Sequence, residues 1–283
     1  MWLVAPRYVV LDIETVAGCP DDAEAAFLRV FCPNPNWKAA TIGERYLDAL
    51  QQRRERLALL DSSPLITVAL ATDTDCRILH WLPVESSALY GVPLERYSSE
   101  RMMLARLRDY LESCSDTTLF VGHNIVGFDL PRLRLRYLTN GLRIPRPLTN
   151  THQPVYDTML VWTDLFSIEG AKFISLHDCL EIARLPSHKT IVSGADVQRL
   201  YDAGEYLTLL LYAILDVLAE RALFLCMTGQ SDDRTVPDAP VRERTNTTET
   251  HSDGNIETAG TPSQSQDVPD SVKDILASMG IRM

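Results

Sequence analysis

The alternation of hydrophobic and polar residues divides the chain into short strands and longer amphipathic helices. Apolar, β-branched runs predict five strands, at 9–15, 65–71, 76–82, 117–121 and 155–159. Apolar residues at helical spacing predict helices at about 44–60, 100–112, 129–138, 175–183, 194–201 and 205–227. Strands interspersed with helices indicate an α/β domain built on a mixed sheet.

The first strand carries two acids among its apolar residues. Asp12 and Glu14 are two residues apart, so the strand period places both on one face of the sheet. Two carboxylates aimed the same way repel each other, and a divalent metal ion would relieve the repulsion. Asp-x-Glu alone is more often found at a strand end whose acids point into water. The rest of the chain must decide between the two interpretations.

Two later segments supply further candidates for an acidic site. Asp129 stands where a Gly-flanked loop becomes a helix, and an N-cap role alone would explain it. Asn124 and Phe128 precede it in a loop that a nucleic-acid strand could approach. Tyr212 and Asp216 are four residues apart and share one face of a helix that is apolar nearly all round. A buried aspartate on such a helix needs a metal ion or a cationic partner.

These motifs, in this order, resemble the DEDD superfamily of 3'–5' exonucleases in its tyrosine-containing branch, DEDDy. The match consists of Asp12-x-Glu14, then the segment from Asn124 to Asp129, then Tyr212-x-x-x-Asp216. The stand-alone, predicted polymerase-B-like 3'–5' exonucleases are the closer likeness, and the resemblance covers about residues 6–228. Each motif alone is weak evidence, but three in order, one with a helix-borne Tyr-x-x-x-Asp, are specific.

The resemblance implies a ribonuclease-H-like fold, with a mixed five-stranded sheet flanked by helices, and a two-metal hydrolysis of phosphodiester bonds. Two Mg²⁺ or Mn²⁺ ions per site would stabilise the attacking and leaving oxygens. By resemblance Asp12 bridges the ions, Glu14 and Asp216 complete the nucleophile-side site, and Asp129 serves the other ion. Tyr212 would orient the attacking water, because a tyrosine with a pKa near 10 is a poor base at neutral pH.

The same resemblance assigns substrate-binding roles. Asn124 would contact the terminal nucleotide, Phe128 would stack against the last bases, and Thr15 would meet the 3' end through its backbone. Asp157 resembles an acid often seen after the fifth strand, and we expect it to be structural and not a metal ligand. For His123 a substrate contact and a structural loop role both stay open.

Composition limits the remaining possibilities. Hydrophobic residues make up 46% and charged residues 23% of the 283 residues, as expected for a globular protein. The net charge is −11, which argues against tight non-specific binding to duplex DNA. The chain shows neither a signal peptide nor an apolar run of membrane-spanning length, so a cytoplasmic location without membrane association is expected.

The polarity of the chain changes after residue 228. Residues 1–228 are expected to form the exonuclease domain, and residues 229–283 a disordered polar tail that could end in a short helix and dock on a protein partner. The most consistent interpretation is a metal-dependent 3'–5' exonuclease that acts on the 3' ends of single-stranded or frayed DNA. An exoribonuclease and a nucleic-acid-binding module on an inactive nuclease fold stay open as alternatives.

Overall fold

The computed structural model describes residues 5–17, 31–58, 63–166, 173–187 and 194–230. The strands of these ranges are β1 (Tyr8–Thr15), β2 (Leu65–Ala71), β3 (Cys76–His80), β4 (Ala88–Leu89), β5 (Val92–Arg96), β6 (Leu119–Gly122) and β7 (Val155–Asp157). The helices are α1 (Ala39–Ala58), α2 (Glu100–Glu112), α3 (Asp129–Thr139), α4 (Arg146–Thr149), α5 (Thr158–Phe166), α6 (Leu176–Ile182), α7 (Val197–Ala203) and α8 (Tyr206–Met227). A short 3₁₀ turn, Gly194–Asp196, precedes α7. The predicted tail beyond residue 230 lies outside the described residues.

The described strands form one mixed sheet in the order β4-β5-β3-β2-β1-β6-β7. In the centre β1 pairs antiparallel with β2 and parallel with β6, and β6 pairs parallel with β7. The predicted α/β class with a mixed sheet is confirmed, and all five predicted strands are present. The predicted number of five strands is wrong, because the described residues add β4 and β5.

A tight hairpin explains the two additional strands. Tyr90 and Gly91 both have positive φ, of 50° and 77°, as a two-residue turn between antiparallel strands requires. Pro93 interrupts the apolar pattern, and proline is tolerated in strands chiefly at the sheet edge. The two-residue strand β4 covers that edge, so a short, proline-containing segment extends the sheet without a recognisable strand pattern.

Helices cover both faces of the sheet. On one face α8 packs over β1, β2 and β3, and Val10 and Ala69 share a hydrophobic core with Leu210 and Ile214 of α8. On the opposite face Leu11 and Val68 pack with residues of α2 and α3. Because Asp12 and Glu14 continue the alternation of Val10, they face α8. None of the helices in the described ranges has the length and apolar character needed to span a bilayer.

Candidate metal centre and active site

Three carboxylates meet where β1 passes beneath α8. Asp12, Glu14 and Asp216 each offer an oxygen atom, and these atoms all lie within 4.8 Å of one another. Glu14 and Asp216 are 8% and 4% exposed, and Asp12 is half-buried. Carboxylate oxygens at this spacing are the hard donors that Mg²⁺ and Mn²⁺ prefer. The arrangement therefore fits a divalent cation, as the sequence predicted for these three residues.

Tyr212 lies one turn before Asp216 on the buried face of α8. Its hydroxyl hydrogen-bonds to the Asp216 carboxylate, and burial, reinforced by Asp216, Glu14 and Asp12, raises the pKa of Tyr212. A Cβ atom added at Gly194 would lie 3.4 Å from that hydroxyl, so the 3₁₀ turn packs closely against the hydroxyl end of Tyr212. The phenol is therefore a protonated donor beside the acids, suited to orienting a group and unsuited to acting as a base.

Asp129 reaches the same region from the opposite side of β1. It is the first residue of α3 and 3% exposed, and its Oδ1 accepts the N–H of Ile13 at 3.2 Å. Burial, followed by the charge of Asp12, raises the pKa of the Asp129 carboxyl. The N-cap alternative is wrong, because the cap position belongs to Phe128 and no side chain caps α3. Asp129 lies near the other acids but outside the group of three whose oxygens converge.

The loop between β6 and α3 has a constrained backbone. Asn124 has a φ of 63°, in the left-handed region that asparagine tolerates better than most residues. Its Oδ1 would lie 2.4 Å from a Cβ atom at Gly127, so that position accepts only glycine without a rearrangement. The guanidinium of Arg132 stacks 3.6 Å from the centroid of the Phe128 ring. The loop thus presents Asn124 and Phe128 in a defined geometry.

The buried carboxylate of Asp157 holds this loop in place. Asp157, at the end of β7, is 4% exposed. Its Oδ1 accepts the N–H groups of Asn124, Met159 and Leu160 at 3.0, 3.1 and 3.3 Å, and its Oδ2 accepts that of Val126 at 3.1 Å. Within the described ranges its hydrogen bonds are all with backbone N–H groups, which agrees with the expected structural role.

His123 makes a second set of ties for the loop. Its Nδ1 lies 3.1 Å from the Thr158 hydroxyl, and its Nε2 lies 2.9 Å from the carbonyl oxygen of Ile174. The ring therefore joins the loop to α5 and to the segment before α6. This favours the structural role over a contact with substrate.

Thr15 closes the site at the end of β1. It is 6% exposed and follows an irregularity in the pairing of β1 with β2 between Glu14 and Thr15. Two residues further on, the N–H of Ala17 donates to Oε1 of Gln198 at 2.7 Å, which fixes the end of β1 to α7. Because β1 and β6 are parallel, Thr15 and the Asn124 loop emerge at the same edge of the sheet.

Glu220 is the buried acid that the sequence analysis did not select. It is 4% exposed, and its Oε1 accepts the N–H of His123 at 3.2 Å. Burial and the charges of Asp12, Asp129 and Asp216 raise its pKa. The signal was present in the sequence, because Glu220 lies one helical turn after Asp216 on the same apolar helix and the same burial argument applies.

Residues 92–235, just over half of the chain, match a family described as predicted 3'–5' exonucleases related to the exonuclease domain of PolB. The chain belongs to this family. The predicted resemblance to stand-alone polymerase-B-like exonucleases is therefore confirmed, and the family's predicted activity is that of a hydrolase of phosphodiester bonds. The match contains Asp129, Tyr212 and Asp216 but begins after β1, so the fold is what adds Asp12 and Glu14. A search among curated proteins found no match.

Proposed function

We propose that this protein is a metal-dependent 3'–5' exonuclease that removes nucleotides from the 3' ends of single-stranded or frayed DNA by a two-metal mechanism. The observation that carries the proposal is the convergence of oxygens from Asp12, Glu14 and Asp216 within 4.8 Å, in a chain of a predicted 3'–5' exonuclease family. When bound, two Mg²⁺ or Mn²⁺ ions would stabilise negative charge on the attacking and leaving oxygens.

The protein's own residues divide between holding the ions and holding the reactants. Asp12, Glu14 and Asp216 supply converging oxygens, and Asp129 supports the second ion from the α3 side. Tyr212, kept protonated by burial and by the neighbouring acids, hydrogen-bonds through its hydroxyl to the attacking water and orients it. Loss of such positioning typically costs roughly 10²–10⁴-fold in rate.

The substrate side of the site is the loop after β6. Asn124 is held in a left-handed backbone conformation that aims its carboxamide over Gly127, where it can contact the terminal nucleotide. Phe128, supported by Arg132, offers a ring on which a base can stack, a contact worth about 1–3 kcal/mol and tolerant of sequence. The backbone of Thr15 meets the 3' end.

The decisive experiment uses 5'-labelled single-stranded DNA, a frayed duplex and RNA of the same sequence, each with Mg²⁺, with Mn²⁺ and with EDTA. We expect ladders that shorten from the 3' end of DNA only when a divalent ion is present. Preferential degradation of RNA would identify an exoribonuclease. Binding without cleavage would identify a binding module on an inactive fold, and Asp12→Asn is the control for contaminating nucleases.

Domain organisation is part of the proposal. Residues 1–228 form the exonuclease domain and residues 229–283 a polar tail whose role is to bind a protein partner. The family match ends at residue 235, close to this boundary, and α8 ends at Met227. Immobilised tail peptide should retain a partner that the exonuclease domain alone does not.

A further inference from the structure

Helix α8 presents three polar groups along one stripe. Tyr212, Asp216 and Glu220 follow one another at intervals of four residues, so successive side chains lie one above the other on the same face. All three are almost fully buried, with exposed fractions of 3%, 4% and 4%. The first two belong to the candidate active site, and the third has no role in the mechanism described so far.

The carboxylate of Glu220 is only half satisfied. One oxygen, Oε1, accepts the N–H of His123. The other, Oε2, is buried and has no hydrogen-bond partner among the described residues. Within the described ranges, no lysine or arginine forms an ion pair with the Glu220 carboxylate. A buried carboxylate oxygen without a partner is costly, and a nearby cation relieves that cost.

The electrostatic surroundings of Glu220 are acidic. Its electrostatic neighbours are, in decreasing order of influence, Asp12, Asp129 and Asp216. All three are acids at or beside the candidate metal centre, and they lie on β1, α3 and α8 respectively. Glu220 therefore lies beside these acids, on the face of α8 that carries Asp216, although its oxygens are outside the group of three that converge within 4.8 Å.

We propose that Glu220 is a fifth carboxylate of the metal centre, whose buried Oε2 would serve a divalent cation bound by these acids. This inference rests on the proposed metal-dependent function. Its other oxygen binds the backbone of His123, at the start of the loop that presents Asn124. Glu220 thereby links occupation of the metal centre to the position of the substrate loop, in the way that groups around a metal orient its surroundings.

The test is a calorimetric titration of the full-length protein with Mn²⁺, without nucleic acid. Glu220→Gln keeps the side-chain volume and an amide oxygen that can accept the His123 N–H, but it removes the charge. We expect Mn²⁺ affinity to fall roughly 10- to 100-fold, and the Mn²⁺-induced rise in melting temperature to shrink accordingly. Glu205→Gln, at the exposed start of the same helix, is the matched control and should bind like the wild type.

Each outcome decides a separate question. Wild-type Mn²⁺ affinity in a folded Glu220→Gln variant would overturn the inference, because Glu220 would then only hold the loop, and the proposed function would stand. Should Glu220→Gln not fold, Glu220→Asp, which keeps the charge but shortens the side chain, must bind Mn²⁺ more weakly, and wild-type affinity there would equally overturn it. No Mn²⁺ binding by the wild type would overturn both, whereas Glu220-dependent binding without DNA or RNA cleavage would overturn the proposed function alone.

Discussion

The substitution Asp157→Asn tests whether a single carboxylate holds the substrate loop. The Asp157 side chain accepts four backbone N–H groups, three at Oδ1 and one at Oδ2. Two of these donors belong to the loop, at Asn124 and Val126. The other two, at Met159 and Leu160, belong to the first turn of α5, where an aspartate is a favourable cap.

The expected magnitude follows from the number of acceptors. An asparagine has one carbonyl oxygen, which can keep the three bonds at Oδ1, while its amide group then faces the N–H of Val126. One bond to a charged acceptor is lost, at about 1.5–3 kcal/mol, and the remaining three weaken because the acceptor is neutral. We therefore expect the free energy of unfolding to fall by roughly 2–4 kcal/mol.

Urea unfolding of the two proteins measures this difference, with Asp164→Asn as the control. Asp164 lies on α5 and is exposed, so the substitution Asp164→Asn removes the same charge without removing a buried acceptor. Oligonucleotide cleavage should be weakened through KM, because the loop carries Asn124, while Mn²⁺ affinity should stay within about twofold of the wild type. An Asp157→Asn protein within about 0.5 kcal/mol of the wild type, with unchanged KM, would refute the reasoning.

The remaining predictions concern the acids, the tyrosine and the tail. Asp12→Ala should abolish cleavage in a gel assay while the metal-free protein melts at the same or a higher temperature, because like charges are removed; near-normal activity would contradict the metal centre. Tyr212→Phe should slow single-turnover cleavage about 10²-fold at saturating Mg²⁺ with little change in metal affinity, and an unchanged rate constant would remove it from the catalytic residues. The pKa of Asp129 is raised in the folded protein above its unfolded value, so its contribution to metal-free stability is present at low pH and is lost as pH rises through the folded pKa, by up to about 1.4 kcal/mol per pH unit. Urea unfolding should show this fall in the wild type relative to Asp129→Asn. Parallel pH profiles of the two proteins would contradict it. A chain ending at Met227 should degrade oligonucleotides like the full-length protein, and lost activity with an intact fold would place the tail in the site.

Local periodicity was sufficient to predict the parts of the site that lie on single elements. The strand period places Asp12 and Glu14 on one face, and the helix period places Tyr212 above Asp216. Their convergence is also indicated locally, since a buried acid on an apolar helix requires a partner. Glu220 meets the same criterion, and it was missed because the resemblance ends its motif at Asp216.

The contacts that shape the loop were beyond the reach of local patterns. Asp157 bonds a backbone N–H 33 residues away, and Glu220 one that is 97 residues away. Asp129 reads as a helix cap in sequence, but its carboxylate accepts the N–H of Ile13, 116 residues earlier. Such partners depend on how β6, β7 and α8 are packed, which neither spacing nor propensity encodes.

The two halves of the site differ in how they are prepared for substrate. The loop is held chiefly by hydrogen bonds of Asp157 and His123, and a bound cation would act on it through the contact between Glu220 and the His123 N–H. The acids are different, because burial and then the charges of the neighbouring acids raise the pKa values of Asp129 and Glu220, so ionising them together is costly. A phosphodiester adds another negative charge to this surface. Cation and nucleic acid should therefore bind with positive coupling, each raising the other's affinity by the same factor, so that nucleic acid is expected to bind this chain, with its net charge of −11, through ions and not through a basic surface.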